Sequence, residues 1–143
     1  MLTSNIEFFC EDISFSLPNP TLISEWIIYT IHSECYKFES LTIVFCSDQY
    51  LLSINQSFLQ HDFFTDIITF DNSDVESVIE GDLFISIDRV SENSKTYNNS
   101  FIEELYRVII HGVLHLLGYN DKASIDKILM KQKENYYLSI LKL

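Results

Sequence analysis

The chain has 143 residues, the length of one domain, and its hydrophobic content of 47% is enough for one substantial core. Its formal net charge of −12 disfavours generic nucleic-acid binding, since affinity for phosphate normally comes from clustered lysine and arginine side chains. Three widely spaced cysteines indicate neither a disulfide framework nor a zinc ribbon, and the sequence shows no signal peptide or membrane span, so we expect one unprocessed cytoplasmic domain over 1–143.

The N-terminal part of the chain predicts strands followed by a helix. β-Forming residues at 6–9 and 13–15 predict one or two short strands. Asn19 is expected to cap an amphipathic helix that has Pro20 at its first position and runs to about Cys35.

A second strand and helix follow. The apolar run 41–46 predicts a buried strand, and Ser47 with Asp48 caps a helix that reaches about Phe58. This alternation favours a βαβ unit.

The middle of the chain predicts two more strands, at 66–70 and 82–87. The polar loop 71–80 between them has room to fold over a cleft, and the second strand is placed to flank a metal site. Residues 88–97 have mixed helical character.

Two helices are predicted in the C-terminal third. Ser100 and Glu103 form a capping box for an amphipathic helix over 101–117. A last amphipathic helix is predicted over 123–141, and its apolar positions are Ile125, Ile128, Leu129, Tyr136 and Ile140. The first of these helices is expected to bury its apolar face against the sheet.

The helix over 101–117 carries a pattern typical of a metal site. His111 and His115 lie one turn apart on a shared face, and the reversal that Gly118 permits brings Asp121 back toward them. Two neutral imidazoles and a carboxylate are a normal zinc set, and three protein ligands leave a fourth position for water, which suggests catalysis. Gly112 inside the helix indicates close backbone approach.

Two other interpretations of the histidine pair are chance spacing and a zinc peptidase. A bare His-x-x-x-His also arises by chance in amphipathic helices, but the following Gly118 and Asp121 argue against chance. Zinc peptidases share the spacing but carry a glutamate directly after the first histidine as general base, where this chain has Gly112. A reaction that needs only metal-activated water remains open.

The motif His111-Gly-Val-Leu-His115-Leu-Leu-Gly118-Tyr-Asn-Asp121 resembles the signature of the YbeY family, the single-strand-specific metal-dependent endoribonucleases of bacteria. Upstream, 55–70 resembles the family block that ends in Thr-Asp-Val-Leu-Ser-Phe, and 80–85 resembles its Gly-Asp-Ile strand. The three blocks occur in the family order and cover most of the chain.

The resemblance implies a fold and a function. The expected fold is α+β, zincin-like, with a mixed sheet of about four strands, packed helices and the metal site at the end of a central helix. The implied activity is cleavage of single-stranded RNA in ribosomal RNA maturation, at the 3′ end of the 16S species, and in ribosome quality control, with one Zn²⁺ per chain on His111, His115 and Asp121. Expected partners are an rRNA precursor and a ribosomal particle or ribosomal protein, not DNA or a membrane.

This chain departs from the family pattern at two positions. Asp121 stands where most members have a third histidine, and Leu59 stands where the family usually has an arginine linked to activity. His61 is a candidate for a partial substitute, and a loop histidine without function is the alternative. The missing arginine and the acidic charge favour a rival function, that of a non-catalytic ribosome-assembly factor with a structural metal.

Arg107 is a second candidate for the catalytic site, because it lies one turn before His111 and could hold a phosphate. The alternative is a surface ion pair with Glu103 or Glu104.

Overall fold

The computed structural model describes residues 5–141, which form four strands and five helices. In chain order these are β1 (Ile6–Cys10), α1 (Pro20–Ser33), β2 (Lys37–Cys46), α2 (Asp48–Phe58), β3 (Ile67–Asp71), β4 (Val78–Ser86), α3 (Ile87–Thr96), α4 (Phe101–Leu116) and α5 (Ser124–Leu141). Within the described range, no helix has both the length and the apolar character that a membrane span requires.

The four strands form one mixed sheet in the order β1-β2-β4-β3. β1, β2 and β4 run parallel, and the edge strand β3 is antiparallel to β4. The crossover from β1 through α1 to β2 is the βαβ unit that the alternation of elements favoured. The predicted α+β class with a mixed sheet of about four strands is confirmed.

Helix α4 packs on this sheet through an almost continuous apolar face. Its side chains from Leu105 to Leu114 include six apolar residues that are no more than 3% exposed. Gly112 lies at the contact itself: a Cβ atom there would lie 2.5 Å from Cδ1 of Ile67 and 3.2 Å from both Cδ atoms of Leu83. The close approach that Gly112 indicated is therefore present, and it brings the C-terminal half of α4 against β3 and β4.

The predicted helix caps are present except at α1. Ser47 accepts a hydrogen bond from the backbone N–H of Tyr50, and Ser100 and Glu103 form the capping box. Helix α1 does begin at Pro20, but the Asn19 side chain makes no cap hydrogen bond, because its backbone is left-handed with φ of 49°. Side-chain capping normally needs an extended backbone at that position.

Two strand predictions need correction. Residues 13–15 form no strand. Strand β4 begins at Val78 rather than at 82, because 78–79 pair with the start of β2. The loop between the two strands is thus limited to 72–77, and the backbone N–H of Asn72 donates to the carbonyl of Glu80 at 2.8 Å. None of residues 71–80 lines the cleft described below.

Helix α5 buries a different stripe from the one predicted. Of the expected apolar face, Ile125, Ile128, Leu129 and Tyr136 are between 41% and 72% exposed. The buried positions are Met130, Glu134, Tyr137 and Leu141. Glu134 makes polar contacts with α4 that belong to the candidate site.

Candidate metal centre

The three predicted ligands converge at the C-terminal end of α4. Nε2 of His111 lies 3.0 Å from Nε2 of His115, and the Asp121 carboxylate oxygen Oδ2 lies 3.2 Å and 3.3 Å from these two nitrogens. The helix supplies the first two atoms because residues four apart share a face. The structure thus brings His111, His115 and Asp121 into one possible metal-binding triad.

A Schellman turn positions Asp121, the third predicted ligand. Gly118 has φ of 100°, and its N–H donates to the carbonyl of His115 while the N–H of Tyr119 donates to the carbonyl of Leu114. This is the left-handed reversal that the glycine predicted, and it returns the chain so that Asp121 faces the two histidines.

The donor atoms suit a small divalent cation. Bonds of about 2.0–2.1 Å in a tetrahedron set neighbouring ligands roughly 3.3 Å apart, close to the observed triangle. Two unprotonated imidazole nitrogens and a carboxylate oxygen repel one another at these separations, so the arrangement requires a shared proton or a cation. The residues therefore fit the metal that their spacing predicted.

Glu134 on α5 orients the first histidine. Its Oε2 lies 2.6 Å from Nδ1 of His111, so the neutral imidazole carries its proton on Nδ1 and turns the lone pair of Nε2 toward the triad. Burial alone would lower the pKa of His111, but the hydrogen bond to Glu134 and the charges of Glu134, Asp66 and Asp121 outweigh it and raise that pKa. Burial likewise works to raise the pKa of Glu134, and its bonds to His111 and Arg107 lower it.

Arg107 is held by side chains of α5, and its expected phosphate contact stays a prediction. Its guanidinium donates to Oε1 of Glu134 and to Oδ1 of Asn135, both at 2.8 Å. The alternative ion pair with Glu103 or Glu104 is wrong, because Arg107 pairs with Glu134. Arg107 instead compensates the buried charge of the carboxylate that orients His111.

The triad opens into a cleft of about 460 Å³. The edge strand β3 forms one wall, so the strand that flanks the site is the first of the predicted pair and not the second. The other walls come from the end of α2, the loop after it and the turn after α4. The lining residues are Asn55, Leu59, His61, Phe63, Thr65, Asp66, Ile67, Ile68, Thr69, His111, His115, Asp121 and Lys122.

Two positions that the sequence singled out, and one carboxyl group that it did not, meet in this cleft. His61 and Leu59 both line it. The candidate histidine therefore faces the triad from the same loop as Leu59, which stands where the family usually has an arginine. Asp66 also lines it, and burial raises the pKa of its carboxyl group while the charge of His111 works to lower it.

A partly buried polar cluster holds the turn that carries Asp121. Glu34, at the end of α1, accepts a hydrogen bond from the hydroxyl of Tyr119 at 2.6 Å and one from the hydroxyl of Tyr137. The Lys133 ammonium donates to the same carboxylate at 3.1 Å. Glu34 therefore ties the end of α1 to α5 and to the turn after α4, where Tyr119 lies two residues before Asp121.

Sequence reasoning missed the roles of Glu134 and Glu34. A signal for Glu134 existed, because it lies in register with Met130 and Tyr137 on one stripe of α5, and a carboxylate on a buried stripe requires a partner. Glu34 gave no such signal, since its tyrosine partners are 85 and 103 residues away.

Two imidazoles on a helix and a nearby carboxylate meet at an open cleft, in an α+β fold. Metal-dependent hydrolases use this arrangement. The family described as Endoribonuclease YbeY matches residues 10–142. The chain belongs to this family.

Relatives and one solved structure agree with this membership. A protein named Endoribonuclease YbeY from Amoebophilus asiaticus is 48% identical over 96% of this chain and 94% of its own length. A second with that name, from Cytophaga hutchinsonii, is 46% identical over 99% of both chains. The solution structure of a Thermotoga maritima protein superposes with a TM-score of 0.66 at 26% identity and covers 95% of this chain and 88% of that one.

Proposed function

We propose that this protein is a metal-dependent endoribonuclease that cleaves single-stranded RNA, with precursor ribosomal RNA, notably the 3′ end of the 16S species, as its substrate. The observation that carries the proposal is the close triangle of His111, His115 and Asp121 at an open cleft, in a member of a family whose relatives are named endoribonucleases. We expect it to act in the cytoplasm, with a ribosomal particle or ribosomal protein as partner.

His111, His115 and Asp121 would hold one Zn²⁺ per chain. When bound, the ion supplies a Lewis acid that neutralises charge developing on the phosphoryl oxygens and promotes the ionisation of water near neutral pH. Glu134 keeps the proton of His111 on Nδ1, which leaves Nε2 free as a ligand. Lys122, on the rim of the same cleft, is the positive side chain available to a neighbouring phosphate among the described lining residues.

A second candidate is an assembly factor that binds a ribosomal particle without cleaving RNA. Leu59 favours it, because this side chain lines the cleft and offers no positive charge where relatives usually have an arginine. The net charge of −12 favours it as well. A peptidase is the weakest candidate, since Gly112 packs against the sheet and leaves no carboxylate after the first histidine.

Cleavage of an end-labelled single-stranded RNA by the purified protein tests the proposal. We expect slow cleavage that stops when a chelator is added, returns when Zn²⁺ is restored, and is absent in His115→Ala. Cleavage that survives chelation, or that His115→Ala retains, would contradict a metal-dependent ribonuclease. Stoichiometric metal binding without any cleavage would favour the assembly factor.

A further inference from the structure

The loop between α2 and β3 displays two aromatic rings beside the metal centre. His61 and Phe63 stack with their ring centroids 5.2 Å apart and their planes 22° from parallel, and both line the cleft. Phe63 is 56% exposed, so the pair is not part of the core. Scattered exposed aromatic side chains are ordinary, but a stacked pair on the wall of the candidate site offers a flat surface on which a planar ligand can pack.

Hydrogen bonds hold this loop in place before any ligand arrives. Asn55, which is 2% exposed, donates from Nδ2 to the carbonyl of Phe63 at 2.9 Å. Its backbone carbonyl accepts from the N–H of His61 at 3.0 Å. The side chain of Gln56 donates to Asp62 at 2.6 Å. Because the backbone is fixed on both sides of the stack, little conformational entropy is lost when a flat ligand binds to it.

The neighbouring phenylalanines differ from Phe63. Arg89 places its guanidinium carbon 5.3 Å from the ring centre of Phe64, so that ring already has a partner. Phe58 is 71% exposed but packs edge-on against Phe70 and does not line the cleft. Phe63 is thus the phenylalanine that faces the cleft, and Phe58 serves as a matched control.

The charge of the protein indicates why stacking matters here. Of the described residues that line the cleft, Lys122 alone is lysine or arginine, so few ionic contacts to phosphate are available. Stacking of a base on an aromatic side chain needs no positive charge, and it tolerates every base because each has a π face. Duplex bases are already covered by their neighbours, whereas unpaired bases can be splayed onto a protein ring.

We propose that His61 and Phe63 form a nucleobase-stacking subsite, which holds an unpaired base of the RNA beside the bond presented to the metal centre. The subsite rests on the proposed ribonuclease function and gives its preference for single strands a physical cause. It also assigns His61 a role different from that of a substitute for the missing arginine: its ring binds a base and not a phosphate.

Equilibrium binding tests the subsite without relying on catalysis. A fluorescently labelled oligo(A) is titrated with metal-free wild-type protein, Phe63→Leu, His61→Leu and the control Phe58→Leu, and anisotropy is recorded. We expect Phe63→Leu and His61→Leu to bind about fivefold or more weakly, the size of one lost stack, and Phe58→Leu to bind like the wild type. A ribose-phosphate oligomer of equal length without bases should bind all four proteins equally.

The outcomes separate the subsite from the activity. If Phe63→Leu and His61→Leu bind oligo(A) as the wild type does, or lose as much affinity for the abasic oligomer, the subsite is wrong even where the wild-type protein cleaves RNA. If the wild type cleaves nothing but the loss is confined to base-bearing RNA, the subsite stands and the ribonuclease proposal fails. In the active enzyme we expect the same variants to raise KM more than they lower kcat.

Discussion

At the scale of single residues, the candidate metal centre includes a carboxylate outside the triad. Glu134 bonds to His111 through one oxygen and to Arg107 through the other, so that a buried glutamate, a histidine and an arginine form one chain of contacts between α4 and α5. Such partners fix the tautomer and the ring orientation of a ligating histidine.

Replacing Glu134 therefore tests this contact chain. We expect Glu134→Gln to weaken Zn²⁺ binding by roughly 10–100-fold, because the amide no longer provides a charged acceptor for Nδ1 of His111. Competition with a chelator of known affinity measures the change. Glu92→Gln is the control for the altered net charge, because that side chain is 61% exposed on α3. An equal effect of both substitutions would mean that Glu134 acts only through overall charge.

The sequence predicted the triad but not the contacts of Glu134 that support it. The reason is the distance along the chain between the partners. His111, His115 and Asp121 are joined by one helical turn and one Schellman reversal, which are local rules. Glu134 is 23 residues from its partner, and the pairing depends on how α5 rotates against α4, which no local pattern determines.

At the scale of secondary-structure elements, local chemistry predicted where helices begin and tertiary packing decided which faces are buried. The capping box of α4 and the cap of α2 were readable because their residues are three positions apart. The start of β4 could not be predicted from local residues, since Val78 joins the sheet through its parallel pairing with β2. The buried face of α5 could not be predicted either, because its apolar residues occur on more than one side.

The cluster around Glu34 ties α1 to α5 and to the turn after α4. We expect Glu34→Ala to lower the free energy of unfolding of the metal-free protein by about 1–3 kcal/mol, because the partly buried hydroxyls of Tyr119 and Tyr137 lose their acceptor. Urea denaturation measures this loss. Lys133→Met, which keeps both tyrosine bonds, should cost less, and an equal cost would show that the ion pair carries the cluster.

The same cluster predicts a pH dependence. Burial works to raise the pKa of Glu34, but the hydrogen bonds from Tyr119, Tyr137 and Lys133 outweigh it and hold the pKa below its usual value. The folded state therefore prefers the ionised carboxylate, and this stabilisation is present above the ordinary glutamate pKa and lost as the pH falls through the lowered one. The stability curves of the wild type and Glu34→Ala should converge in acid, and a constant gap down to low pH would contradict the assignment.

At the scale of the whole molecule, the acidic charge limits how the protein meets RNA. A domain at −12 repels free RNA at long range unless a partner supplies a positive field. We expect a shallow salt dependence on naked RNA, with log affinity falling by about 0.7 per phosphate contact for each decade of salt. A slope that corresponds to many contacts would show an unrecognised basic surface.

Presentation by a ribosomal particle would replace that field. We therefore expect faster cleavage of precursor RNA in purified particles than of the same RNA alone, at equal RNA concentration and physiological salt. Equal rates on both substrates would refute this dependence on a partner.

The central claim is that His111, His115 and Asp121 bind one metal ion, and metal content per chain tests it most directly. Wild-type protein and His115→Ala are stripped with chelator, reconstituted with Zn²⁺, freed of excess metal and analysed by mass spectrometry, with monodispersity and circular dichroism checked for both. We expect one ion per chain in the wild type and none in the variant. Stoichiometric zinc in a folded, monodisperse His115→Ala, or none in the wild type, would contradict the account.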